Sequence, residues 1–375
     1  MPERVLDIQA FAPLLWRDGR PFAQAEGTET AAQSLPLPLP STVAGFVRTQ
    51  VGRKLGVRFR DDHPALQNLH GLQICSPLLV RGDEFVLPAP RDAVVFEEKG
   101  GKTTEVEVRR LRSADQASGG TNLPDGMRPL VLDDERKAAT GYTFWSQKDM
   151  TAWLLGRDVV PRKIAGLPRE QRIHVGIDPA SGKASEGVLY SVGYRALESL
   201  EDGQYHDWRI RARVSLETEP EALGFLGGES RPVRVTVRDE LGKYWFDCPS
   251  EIKETVGSSK RVRMVLATPA IFEHGWKPGW VDRSGSGAQH LPRGLSKVRL
   301  RLVSAAIGRR EPVSGWNLRE NRPKSVRWMV PAGSVYFFEI EGGNPSDLLE
   351  SWLRPVSDNE QDRKDGFGLA LWGVW

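Results

Sequence analysis

The residues most ready to move a proton near neutral pH are the six histidines His63, His70, His174, His206, His274 and His290. None forms an HxxxH or HxH pair, and neither Cys75 nor Cys248 stands at ligand spacing from a histidine, so no metal site is expected. His174 is the best candidate for a general acid or base, because it lies on the polar face of a strand in which Ile173, Val175 and Ile177 alternate with it. A strand histidine that only hydrogen-bonds its neighbours fits the same pattern. GGKTT at 100–104 resembles half of a phosphate loop, but the first glycine of that motif would fall at Phe96. SGSGA around Ser286 lacks the outer glycines of a nucleophile elbow. No catalytic constellation emerges, and the chain is expected to be neither an enzyme nor the holder of a cofactor.

Charge and glycine carry more. The net charge is only +3, yet Arg293 to Arg327 contains ten Lys or Arg against Glu311 and Glu320, leaving about −5 for the rest. Such asymmetry fits a stripe that binds a polyanion, or a solvated charged face. Glycine lets main-chain N–H groups approach a phosphate with no Cβ in the way. Two glycine pairs stand beside basic residues: Gly227 and Gly228 before Arg231, and Gly366 and Gly368 after Arg363 and Lys364. Each pair also fits a plain tight turn.

These residues need elements to position them. VLDIQAFAPLLWRDGRPF opens as an alternating strand, with Arg17 and Arg20 around its Asp18-Gly19 turn. Pro36, Pro38 and Pro40 then enforce an extended backbone. STVAGFVRTQVGRKLG reads as a helix capped by Ser41, with Val43, Val47, Val51 and Leu55 as its apolar stripe and Arg48 and Arg53 off it. Residues 58 to about 165 read as a β-rich insertion with no strong helix, including a hairpin that turns at Gly100-Gly101. A longer hairpin over 172–197, the strand WRIRARVSL, a short EPEAL helix and a glycine turn into VRVTV follow. Strand, helix, hairpin, helix, strand is a ferredoxin-like order, and a second round follows it. Asn344 and Pro345 start a helix there, and GFGLALWGVW closes the chain as a strand. The sequence therefore predicts an α+β protein of two ferredoxin-like (RRM-like) domains, 1–245 with the insertion and 246–375. Seven of the twelve tryptophans lie at or after Trp276, as a compact core or as stacking platforms.

Several segments together resemble one family. LWRDGRPF followed by LPLPSTVAGFVRTQVG, then RIHVGIDPASGKASEGVLYSV, FLGGESR, GWNLRENRPKSVRWMVPAGSVYFFEIEGG and DGFGLALWGVW are similar to the RAMP-superfamily third subunits of type III-B CRISPR (Cmr) effector complexes. The equivalent type III-A subunit is a close relative. The resemblance implies a non-catalytic subunit that holds the 5′ tag of the CRISPR RNA. It also implies contact with the large cyclase/polymerase-type subunit on one side and a backbone RAMP subunit on the other. On that reading the candidate RNA contacts are Arg17, Arg20, Arg48, Arg53, Gly227, Gly228, Arg231, Arg319, Arg322, Lys324, Arg363, Lys364, Gly366 and Gly368. Two other functions compete: a metal-independent CRISPR RNA-processing endonuclease with His174 as base, and a scaffold that touches only protein. The charged opening MPERVLDIQA and the lack of any long apolar run predict a cytoplasmic protein without membrane spans.

Overall fold

The computed structural model describes residues 2–18, 31–59, 64–100, 103–114, 121–201, 203–317 and 320–375. It is a mixed α+β structure rich in strand. The larger sheet runs, edge to edge, through Leu223–Phe225, Pro232–Arg238, Glu3–Ala10, Gln204–Ser215, Ile74–Arg81, Glu84–Pro88 and Phe144–Ser146, with Glu198–Glu201 also paired to Gln204–Ser215. Neighbours along it are antiparallel. Ile74–Arg81 falls inside the stretch read as an insertion, yet it is a central strand of this sheet.

The alternation of the opening strand explains its two roles. Leu6 and Ile8 face one side and join Ile210, Ala212, Val233 and the helix residues Val43, Val47 and Val51 in a core. Val5 faces the other side and joins a second core. The helix spans Pro40–Lys54, so Ser41 lies within its first turn rather than at its cap. Proline has no amide hydrogen to satisfy and its φ suits that first position, which is why the helix starts there. Leu55 is exposed: it sits at the C-cap, where the helical period that carries Val43, Val47 and Val51 has ended. The stretch 58–165 also holds two helices that the sequence reading missed, Ala65–Gly71 and Gln147–Leu154.

The second sheet is ordered Arg299–Ala306, Val335–Gly342, Arg261–Leu266 and Ala370–Val374, antiparallel throughout. The chain terminus is thus a core strand: Leu369 and Leu371 are fully buried, and Val374 is half-buried. The second core spans both lobes, setting Val5, Leu78, Phe85 and Leu87 of the first sheet against Met264, Leu266, Phe337 and Leu371 of the second. No helix among the described residues is long and apolar enough to cross a membrane.

Candidate nucleic-acid interface

Between the edge strand Leu223–Phe225 and its neighbour Pro232–Arg238 the chain makes a strained turn. Gly227 has φ +80, and a Cβ there would lie 2.4 Å from the Leu15 carbonyl oxygen, so glycine is required for two reasons. Gly228 N–H donates to that same oxygen at 2.8 Å. Glu229 and Ser230 then have φ +59 and +48, a left-handed conformation costing about 1–3 kcal/mol per residue. Side chains hold it in place. The Glu229 carboxylate accepts from Tyr194 Oη at 2.6 Å and from Arg231 at 2.7 Å. Burial opposes the Glu229 charge, but these hydrogen bonds outweigh it and hold the carboxyl below its usual range. Burial, then the bond to Glu229, pushes the Tyr194 phenol up.

Tyr194 is the hub of this group. The Arg231 and Arg172 guanidiniums lie 4.4 Å and 5.4 Å from its ring centroid. His174 Nε2 is 3.3 Å from its hydroxyl, and the His174 ring stacks on Tyr190 at 5.2 Å. Two donors beside the turn, Arg231 Nε and Trp16 Nε1, are buried and have no hydrogen-bond partner among the described residues. The Trp16 ring passes 3.2 Å from where a Gly227 Cβ would be. Strand alternation places His174, Tyr190 and Tyr194 on one face, and the sequence reading kept only the histidine. The apolar face of this hairpin, Ile173, Val175, Ile177 and Leu189, is the one turned to solvent.

The basic stripe ends in a narrow ribbon. Glu311–Val313 pairs with Arg327–Met329, and Trp316–Asn317 with Arg322–Pro323. Its inner face buries Val313 and Met329 against Ile271, Phe367 and Leu39. Arg310 stacks 4.2 Å over Trp328, Arg322 pairs with Glu320, and Arg327 makes two bonds to Asp362. Earlier in the stripe, Lys297 is tied to Glu350 and Arg301 to Glu339 and Glu341. The proline segment joins ribbon and turn. Leu35 N–H donates to Trp16 O beside the turn, and Leu39 packs under the ribbon. Four extended residues reach no more than about 14 Å, so the base of the ribbon lies near the turn.

Other expected contacts are committed to the fold. Arg48 is buried: it donates to the Leu69, Leu72 and Lys364 carbonyls and pairs with Asp365 at 2.5 Å. Arg363 donates to the Ser357, Asp358 and His290 carbonyls, whereas among the described residues Lys364 has only a surface pair one helical turn back with Glu360, which does not tie it to the fold. Gly366 and Gly368 are buried, and their N–H groups go to the Arg363 and Pro269 carbonyls. A Gly366 Cβ would meet the Ile74 and Ser76 carbonyls at 2.5 and 2.6 Å. That pair answers to close packing, not to a phosphate. Arg17, Arg53 and Lys324 are exposed, and Arg20 and Arg319 lie outside the described residues.

A family model described as CRISPR-associated protein (Cas_Cmr3) matches residues 6–375. No curated protein matches the chain. Among solved structures, a chain of the type III-B Cmr-beta bound to cognate target RNA and AMPPnP is similar at 16% identity and a TM-score of 0.48, covering 89% of this chain and 86% of that one. A second Cmr-beta structure, bound to cognate target RNA, gives 17% and 0.47 over 89% and 86%. A chain of the Csm3-Csm4 subcomplex of the type III-A interference complex gives 10% and 0.36 over 91% and 94%.

Proposed function

The chain belongs to the Cas_Cmr3 family of CRISPR-associated proteins, and from that premise we propose that it is a non-catalytic RNA-binding subunit of a type III-B (Cmr) effector complex. It holds the 5′ tag of the CRISPR RNA and links the large cyclase-type subunit to a backbone subunit. The observation that carries the RNA contact is the left-handed 227–231 turn, with the Arg231 guanidinium stacked on Tyr194 beside it. A single-stranded tag offers phosphate oxygens to guanidiniums and bases to flat side chains.

The strand orders support reading 1–245 and 246–375 as two ferredoxin-like domains. In each sheet four adjacent strands run fourth, first, third, second in chain order: Pro232–Arg238, Glu3–Ala10, Gln204–Ser215 and Ile74–Arg81, then Ala370–Val374, Arg261–Leu266, Val335–Gly342 and Arg299–Ala306. On this reading the inserted elements begin after Arg81 rather than at 58.

Ultraviolet crosslinking of the assembled complex to its CRISPR RNA, followed by peptide mapping, tests the proposal. Crosslinks to the tag are expected in peptides covering 225–231. Tag crosslinks confined to other subunits would sink it. Cleavage of repeat RNA by the purified chain, lost in His174→Ala, would replace it with the endonuclease reading.

A further inference from the structure

We propose that the ribbon formed by Glu311–Val313, Trp316–Asn317, Arg322–Pro323 and Arg327–Met329 is a base-stacking site for single-stranded RNA, with Trp316 and Trp328 as its platforms. The proposal rests on the RNA-binding reading above but uses residues that the 227–231 turn does not. Trp316 is 54% exposed and Trp328 45% exposed. Neither indole is needed to anchor the ribbon, because Val313 and Met329 do that from the inner face. Residues opposed in an antiparallel ladder share a face, so Trp328 stands with its partner Pro312 on the outer side. Trp316 begins the next strand of the ribbon, four residues after Pro312 and at most about 14 Å from it. A two-stranded ribbon has no core of its own to account for two indoles in water.

Charge selects the occupant. Arg309, Arg310 and Lys324 are exposed and pair with no carboxylate among the described residues. Arg322 and Arg327 have one acidic partner each, Glu320 and Asp362. Arg310 covers one face of the Trp328 ring at 4.2 Å, a cation against an aromatic face, so the base is taken up on the other face. Exposed aromatics interleaved with unpaired cations are what a single-stranded nucleic acid needs: stacking is indifferent to sequence because every base has a π face, and the cations follow the phosphates. An apolar protein partner would leave these cations buried and unpaired.

The test uses the full-length chain with two probes, short oligouridine and an abasic ribose-phosphate strand of equal length, each over a range of salt. Trp316→Ala and Trp328→Ala are expected to weaken oligouridine binding by about fivefold to a hundredfold each. They should leave abasic-strand binding and the salt slope alone, and Trp→Phe at either position should restore most of the loss. Arg309→Ala with Arg310→Ala and Lys324→Ala should flatten the salt slope for both probes. The idea fails if the tryptophan variants bind both strands like wild type, or weaken both equally. It also fails if they keep RNA binding but lose co-purification with another Cmr subunit, which would make the ribbon a protein-docking surface. Arg231→Ala, measured in parallel, separates the two readings. Loss there with intact tryptophan variants removes only the ribbon, and no RNA binding by the wild-type chain or the assembled complex removes both.

Discussion

Arg48 leaves the apolar stripe of its helix by one position after Val47, and helical spacing alone would send it to water. The fold catches it instead. Its side chain is 11% exposed and that of Asp365 13%, so solvent screens their 2.5 Å contact little. Arg48→Ala would leave Asp365 with the Gln361 amide but no cation, and would take one donor from each of three carbonyls. A loss on the order of 3 kcal/mol is expected, read as a lower melting temperature. Arg48→Lys should not rescue it, because one ammonium cannot serve divergent carbonyls at Leu69, Leu72 and Lys364. Arg53→Ala, one turn further and exposed, should stay within about 0.5 kcal/mol of wild type. The same scale governs Cys248, whose thiol burial pushes up to about 12. An ordinary cysteine is partly thiolate at pH 8, whereas this one stays protonated until far more alkaline pH. Mass spectrometry after iodoacetamide at pH 8 should find Cys248 alkylated only in denaturant; rapid labelling of the native chain would contradict the burial.

Among the elements, the closing segment shows how far the sequence could be read. DGFGLALWGVW announces a strand, and a strand it is: Ala370–Val374 pairs with Arg261–Leu266. The glycines before it were legible as glycines but not in their cause. A turn that admits phosphate and a turn that admits a neighbouring strand ask for the same residue, and the neighbour here, Ile74 to Ser76, lies some 290 positions away in the chain. The hairpin carrying His174 misled in another way. Period-2 alternation separates its faces correctly, but nothing local says which face meets the body of the protein, and here the polar face does. The ladder partner Tyr190 and the hub Tyr194 become visible only with the register. Gly366→Ala should therefore act on stability: its φ is +92 and the added methyl would collide with main chain that cannot yield. Gly368→Val, packed against Ser357 and Ala270, should do the same. Either variant melting like wild type while losing RNA would return the pair to the binding surface.

Across the whole molecule the two sheets share more than a border. One apolar core takes residues from both, and charged side chains cross the boundary at several points: Arg48 to Asp365, Arg213 to the Leu353 carbonyl, Arg354 to Glu3, and the fully buried Arg263 to Asp92. Separating the lobes would open that core to water and strip buried guanidiniums of their acceptors at the same moment. Hydrophobic cost and unpaired-charge cost then rise together, and neither lobe has an unfolding that leaves the other intact. Such coupling also fixes the distance between the 227–231 turn in the first lobe and the ribbon in the second, so an RNA touching both meets a rigid spacing. Unfolding should accordingly be a single transition, despite a length at which independent domains are common. Tryptophan fluorescence, weighted towards the second lobe by seven of the twelve indoles, and far-ultraviolet circular dichroism, which samples both lobes, should give the same urea midpoint. Two resolved transitions would mean that the shared core is weaker than the cores within each lobe. In that case Arg48→Ala should move only one of them, whereas a single cooperative unit requires Arg48→Ala to shift both signals by the same amount.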